Sequence, residues 1–162
     1  MAKRIVTKIG DVFCVEVDKE YKCFFQYVAN DMTVLNSSVI RVFKEHYPID
    51  YKPNLDEIVR GNVHFYAHTI LKFGILYSAW YKVGKYSDIG NPDDICFVMY
   101  NDIGNPQMTK SYRWVVWKIN QEQHFIGELT EEYKHIDLGI VLTYEDVVSK
   151  IATGKFLLKH VD

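Results

Sequence analysis

The stretch Asp11-Val12-Phe13-Cys14-Val15-Glu16-Val17-Asp18-Lys19-Glu20-Tyr21-Lys22-Cys23-Phe24-Phe25-Gln26-Tyr27-Val28 decides how this chain is read. Successive side chains of a strand point to opposite faces, so its first seven residues put Phe13, Val15 and Val17 together. Asp18-Lys19-Glu20 is polar and turn-like. Tyr21 to Val28 is the return strand, with Phe24, Gln26 and Val28 opposite Cys23, Phe25 and Tyr27. A two-residue turn at Asp18-Lys19 would pair Val17 with Glu20 and set Cys14 against Cys23, whereas a three-residue loop would break that register. The facing thiols would be small core residues or, in a sharper reading, a redox pair. No neighbouring cation stands out that would lower a thiol pKa.

Outward from this hairpin, strands dominate. Asn30-Asp31 closes the return strand, and Ser38 to Phe43 reads as a third, with Val39, Ile40 and Val42. His46 to Pro53 is loop-like, broken by Pro48 and Pro53. Asn54 caps a short helix that ends before Gly61, with Glu57 at the capping-box spacing. Val63 to Leu71 fits either a strand or a helix. Phe73 to Lys82 is expected to be a strand carrying Trp80 and Tyr81. Asp88-Ile89-Gly90-Asn91-Pro92 recurs as Asp102-Ile103-Gly104-Asn105-Pro106, two turns bracketing an apolar strand from Ile95 to Tyr100.

Lys110 to Asn120 reads as a central strand, with Tyr112, Trp114, Val116 and Lys118 on one face and Arg113, Val115, Trp117 and Ile119 on the other. Gln123 to Leu129 and Leu138 to Leu142 add two shorter strands. Thr143 to Thr153 is a helix with Thr143 as N-cap, Glu145 and Asp146 in the first turn, and Gly154 as its stop. Strands precede the helix instead of alternating with it. The expected fold is therefore α+β: a mostly antiparallel sheet of about eight strands, a C-terminal helix and one short middle helix. No linker composition interrupts the chain, so residues 1–162 are expected to form a single domain.

Bulk properties narrow the function. Apolar residues make up 48% and charged residues 25%, which excludes intrinsic disorder. A net charge of −2 and no long basic run argue against a DNA-binding footprint. No segment has the roughly 20 apolar residues of a membrane span. Met1-Ala2-Lys3-Arg4 turns polar too early for a secretory signal, and three unpatterned cysteines suggest a reducing compartment, so a cytoplasmic location is expected.

Catalytic motifs are missing from the sequence. His64 and His68 are four apart, but Phe65 stands where a zincin carries its glutamate, and Asp56 or Glu57 is only a conceivable third ligand. Gly84-Lys85 lacks the upstream glycine of a phosphate loop, and there is no Gly-x-Ser-x-Gly elbow. Asp88 and Asp102 supply far fewer oxygens than a calcium loop needs. Trp114 and Trp117 could stack on bases, but Lys110, Arg113 and Lys118 make a thin basic groove; core packing is the ordinary reading. The acidic run Glu128, Glu131, Glu132 and Asp137 is a solvated surface or a dock for a basic partner.

The opening Ile9-Gly10-Asp11-Val12-Phe13, its alternating strand and the aromatic return Tyr21 to Val28 resemble the start of the immunity protein 26 family of bacterial polymorphic toxin systems. That resemblance is carried by the opening hairpin. It implies a protein that neutralises a toxin by binding it and has no catalytic residues or cofactor of its own. The expected function is therefore a non-enzymatic binder of a cognate protein toxin with a basic surface. Its expected contacts are Glu128, Glu131, Glu132, Asp137, Trp114 and Tyr112, with no metal. A small metal-dependent hydrolase built on His64 and His68 and a nucleic-acid module remain as alternatives.

Overall fold

A computed structural model describes residues 4–155 and 161–162. The opening segment forms β1 (Asp11–Val17), β2 (Tyr21–Asp31), β3 (Ser37–Phe43) and β4 (Tyr47–Pro48). Then come α1 (Leu55–Val59), β5 (Val63–Thr69), α2 (Leu71–Leu76) and β6 (Tyr81–Lys85). β7 (Cys96–Tyr100), β8 (Trp114–Lys118) and β9 (His124–Gly127) follow, and β10 (Val141–Leu142) leads into α3 (Tyr144–Thr153).

The strands form two sheets. The larger runs β10-β5-β3-β2-β1-β6, with β4 pairing β2; the smaller runs β7-β8-β9. Pairing within them is antiparallel except for β10 on β5. The fold is thus α+β and mostly antiparallel. It has ten strands where about eight were expected, because Tyr47–Pro48 pairs with β2 and the ambiguous Val63–Thr69 segment is a strand.

Both faces of the larger sheet are covered, which is why β1 and β2 are buried almost throughout. One face carries Phe13, Val15, Phe25, Ile40, Val42 and Phe65, and is covered by α2 and α3 through Leu71, Val147 and Ile151. The other face is divided. Val12, Cys14, Phe24 and Phe43 lie under Ile58 and Val59 of α1. Val28, Ala29 and Val39 lie under Phe97, Val115 and Trp117 of the smaller sheet. Between these two apolar zones runs a buried polar row. Arg41 donates to Gln26 Oε1 through Nε (3.0 Å) and Nη2 (2.8 Å), and Gln26 Nε2 donates to Tyr86 O at 3.0 Å.

The hairpin turn differs from the two-residue expectation. Asp18 and Lys19 both have positive φ, and Asp18-Lys19-Glu20 forms a three-residue loop with Val17 opposite Tyr21. Cys14 therefore faces Phe24 and Cys23 faces Val15, which puts the two thiols on opposite faces of the sheet. The helix caps match the sequence reading. Asn54 Oδ1 accepts from Glu57 N, Thr143 Oγ1 accepts from Asp146 N, and Gly154 ends α3 at φ 72°.

Three strand expectations are corrected. Phe73 to Lys82 is not one strand but a helix followed by β6, because Gly74 lets the chain turn tightly beneath Trp80. The strand expected over Lys110 to Asn120 shrinks to Trp114–Lys118. Its first part is held elsewhere: Ser111 N donates to Asp162 O, and Ser111 Oγ donates to Asp102 Oδ1 at 2.6 Å. Leu138 to Leu142 divides between the sheets, with Leu138 bridging to Val98 and Val141–Leu142 joining β5.

Candidate partner-binding surface

Two buried or half-buried carboxylates hold the two sheets together. Asp31, the last residue of β2, is fully buried. Its Oδ2 accepts from His68 Nε2 and from Trp117 Nε1, both at 2.9 Å, and its Oδ1 accepts from Asn120 N at 2.9 Å and Thr33 N at 3.0 Å. Burial pushes the Asp31 carboxyl up, but these bonds outweigh it and hold its pKa below the ordinary carboxylate range.

Asp137 makes the second joint. Its backbone carbonyl accepts from Val98 N in the smaller sheet. Its carboxylate accepts from Tyr66 N of β5 at 2.9 Å and from Lys150 of α3 at 3.3 Å. The carboxylate expected to greet a partner is thus engaged between the sheets and α3. The other expected contacts separate in the same way. Trp114 is only 1% exposed and packs with Val98, Tyr100 and Leu138. Tyr112 is 62% exposed, with the Lys110 ammonium 5.1 Å from its ring centroid. Lys110 also pairs with Glu128 at 2.6 Å, and Glu131 pairs with Lys134 at 2.9 Å. The structure therefore gathers Tyr112 and Glu128 around Lys110. Glu131 and Glu132 are exposed on the following turn, Asp137 is half-buried at the sheet junction, and Trp114 belongs to the interior.

His64 and His68 do not share an environment on β5, and the pairing of β5 with β3 shifts register at His64. His64 is exposed, while His68 is buried with its ring centroid 4.1 Å from that of Phe97. Among the described residues, no three His, Cys, Asp or Glu side chains are placed to hold a metal ion. His64 and His135 line a cleft of about 490 Å³ between the sheets, with Asn91, Asp94 and Cys96. Partial desolvation of the ring, aided by Lys150 and Lys44, lowers the His64 pKa and favours its neutral form.

One surface was not anticipated from the sequence. Ile70, Phe73, Leu76 and Tyr77 are all exposed around α2, at the β10 edge of the larger sheet. Tyr77 stacks on Tyr144 of α3 with ring centroids 5.3 Å apart. Beside them lies a mostly apolar groove of about 400 Å³ bounded by Ile70, Phe73, Tyr77 and Val141. Ile70 and Val141 also line a second groove of about 520 Å³ that reaches Leu35. Leu35 is 91% exposed and sits in left-handed backbone conformation at φ 54°. An exposed apolar ledge of this kind marks an interaction surface more often than chance exposure does. A signal for it existed in the sequence, since Ile70, Phe73, Leu76 and Tyr77 follow helical spacing. Reading Phe73 to Lys82 as a strand hid that pattern.

A family model described as Immunity protein 26 matches residues 8–105. The match spans β1 through β7 and so reaches well past the opening hairpin. No curated protein and no solved structure matches the chain.

Proposed function

The chain belongs to the immunity protein 26 family, and from that membership we propose that it neutralises a cognate bacterial toxin by binding it directly. The observation that carries this reading is the apolar ledge of Ile70, Phe73, Leu76 and Tyr77 beside its groove. Binding energy concentrates in exposed aromatic and large apolar side chains held on rigid elements. Here α2 is fixed by Leu71, buried in the main core, and by Trp80 Nε1, which donates to Leu71 O at 3.1 Å.

Tyr112, Glu128, Glu131 and Glu132 form the polar part of this proposal and favour a toxin with a basic surface. Lys110 and Lys134 already pair with Glu128 and Glu131, so the contribution is steering more than affinity. The test is co-expression with the toxin, followed by co-purification. Phe73→Ser and Tyr77→Ala are expected to abolish protection and pull-down while the protein stays folded. Loss confined to Tyr112→Ala and Glu131→Lys would move the interface to the smaller sheet. If the toxin kills equally with and without the native protein, the reading fails.

A further inference from the structure

The core between the two sheets contains a fully buried ionisable pair, and its geometry does not depend on the toxin reading. Val28, Ala29 and Val39 of the larger sheet meet Ile95, Phe97, Val115 and Trp117 of the smaller one. His68 stands among them fully buried, against the ring of Phe97 and 6.5 Å between centroids from the indole of Trp117. Its Nε2 hydrogen-bonds Asp31 Oδ2, the same oxygen that accepts from Trp117 Nε1. One carboxylate thus ties β2 to β5 within the larger sheet and to β8 across the interface.

The far side of the imidazole is bare. His68 Nδ1 is buried with no hydrogen-bond partner among the described residues. That fits the neutral tautomer with its proton on Nε2. Its register partners are Val39 on β3 and Val141 on β10, and Phe97 and Trp117 face it from β7 and β8. None of these titrates. Asp31 is the charged group in contact with it. Tyr66 and Arg41 lie further along the same face, and Arg41 is held by Gln26 Oε1 and Asp88 O.

We infer that Asp31 and His68 form an acid-sensitive latch that holds the three-stranded sheet against the seven-stranded one. A second proton on the imidazole would place an N–H at Nδ1, where no acceptor faces it. Lifting the smaller sheet away hydrates the ring and accommodates that proton. The direction follows from linkage. Burial lowers the His68 pKa, and the bond and charge of Asp31 restore only part of it. The opened form therefore binds more protons than the closed form below the ordinary histidine pKa of about 6.5. Opening becomes easier as pH falls through that value, and the effect levels off once the closed form is protonated as well. Asp31 does not drive this step, because its carboxyl titrates far lower.

Amide hydrogen exchange followed by NMR tests the latch, using protection factors so that the intrinsic pH dependence of exchange is removed. Between about pH 7.5 and about pH 5.5, amides of β7 and β8 are expected to lose about tenfold in protection, while β1 to β3 stay unchanged. His68→Gln, whose amide can still donate to Asp31 but does not titrate, is expected to flatten that response. Equal loss in both sheets, no loss in either, or an undiminished response in His68→Gln overturns the proposal. Should His68→Gln fail to fold, the titration of His68 in the native protein decides. A midpoint below the ordinary histidine value supports the latch, and one at or above it refutes it.

Discussion

Gly74 and Trp80 are packed so closely that a Cβ on Gly74 would lie 1.9 Å from Cε2 of the indole. Gly74 is buried inside α2, where alanine would ordinarily be the better helix former by about 0.5–1 kcal/mol. The indole cannot withdraw cheaply, because it lies edge-on to Phe25 and its Nε1 donates to Leu71 O. Gly74→Ala is therefore expected to destabilise by about 1–3 kcal/mol, the usual range for overpacking. Calorimetry should show a lower melting temperature. A higher one would mean that the loop around Ser78 absorbs the clash.

That contact also shows why part of the fold was legible and part was not. The opening hairpin, the Asn54 cap and the Thr143 to Gly154 helix are encoded by residues within a few positions of each other, and sequence spacing reveals them. α2 depends on a glycine accepting an indole six residues on, which a short apolar run does not disclose. The division between two sheets depends on Asp31 meeting Trp117 and on Asp137 meeting Tyr66, and no local pattern pairs those residues. The same limit applied to the site. Glu128 and Asp137 belong to one acidic stretch of the sequence, yet one is exposed and the other is built into the sheet junction.

The opposite placement of Cys14 and Cys23 sets their chemistry. Burial raises the Cys14 thiol pKa and pushes that of Cys23 up to about 12. Neither is a ready nucleophile, and the sheet itself lies between them. Cys96 is partly exposed at the start of β7. Thiol titration of the native protein is expected to find one fast-reacting cysteine, Cys96, and all three only in denaturant. Loss of that fast phase in Cys96→Ser identifies it, and rapid reaction of Cys23 would contradict the placement.

Asp31 carries most of the polar junction, and its titration has a definite sign. The folded pKa lies below the ordinary aspartate value of about 3.9, so the unfolded chain binds the proton more readily. The resulting stability is fully present above that value and is lost as pH falls from it through the folded pKa. Asp31→Asn removes one acceptor oxygen and leaves buried donors without a partner. It is expected to cost about 2–4 kcal/mol at neutral pH and to shed this acid-dependent part. Denaturant melts at neutral and acid pH measure both. An Asp31→Asn protein as stable as the native one would show that the junction is held by its apolar core alone.

The two ends of α3 offer a cleaner measurement. Thr143→Ala removes the oxygen that accepts from Asp146 N and is expected to cost about 1 kcal/mol. Gly154→Ala meets no atom of the described residues within 4 Å, so the cost expected there is that of its left-handed φ of 72°, again about 1 kcal/mol. The two sites share no partner, so the double variant should show the sum. A marked departure from additivity would mean that α3 frays as one unit.

Salt separates the two parts of the proposed toxin interface. Contacts through Ile70, Phe73 and Tyr77 are apolar, and their strength should change little between low and physiological ionic strength. Contacts through Glu128, Glu131 and Glu132 are exposed charges, screened over about 8–10 Å under those conditions. If the ledge provides the affinity and the acidic turn the steering, added salt should slow association while leaving dissociation nearly constant. Tyr77→Ala should do the reverse, raising the dissociation rate with little effect on association. Stopped-flow binding to the toxin across a salt series reads both rates. If the dissociation rate of the native complex climbs steeply with salt, charge holds the complex together, and the ledge cannot be its main anchor.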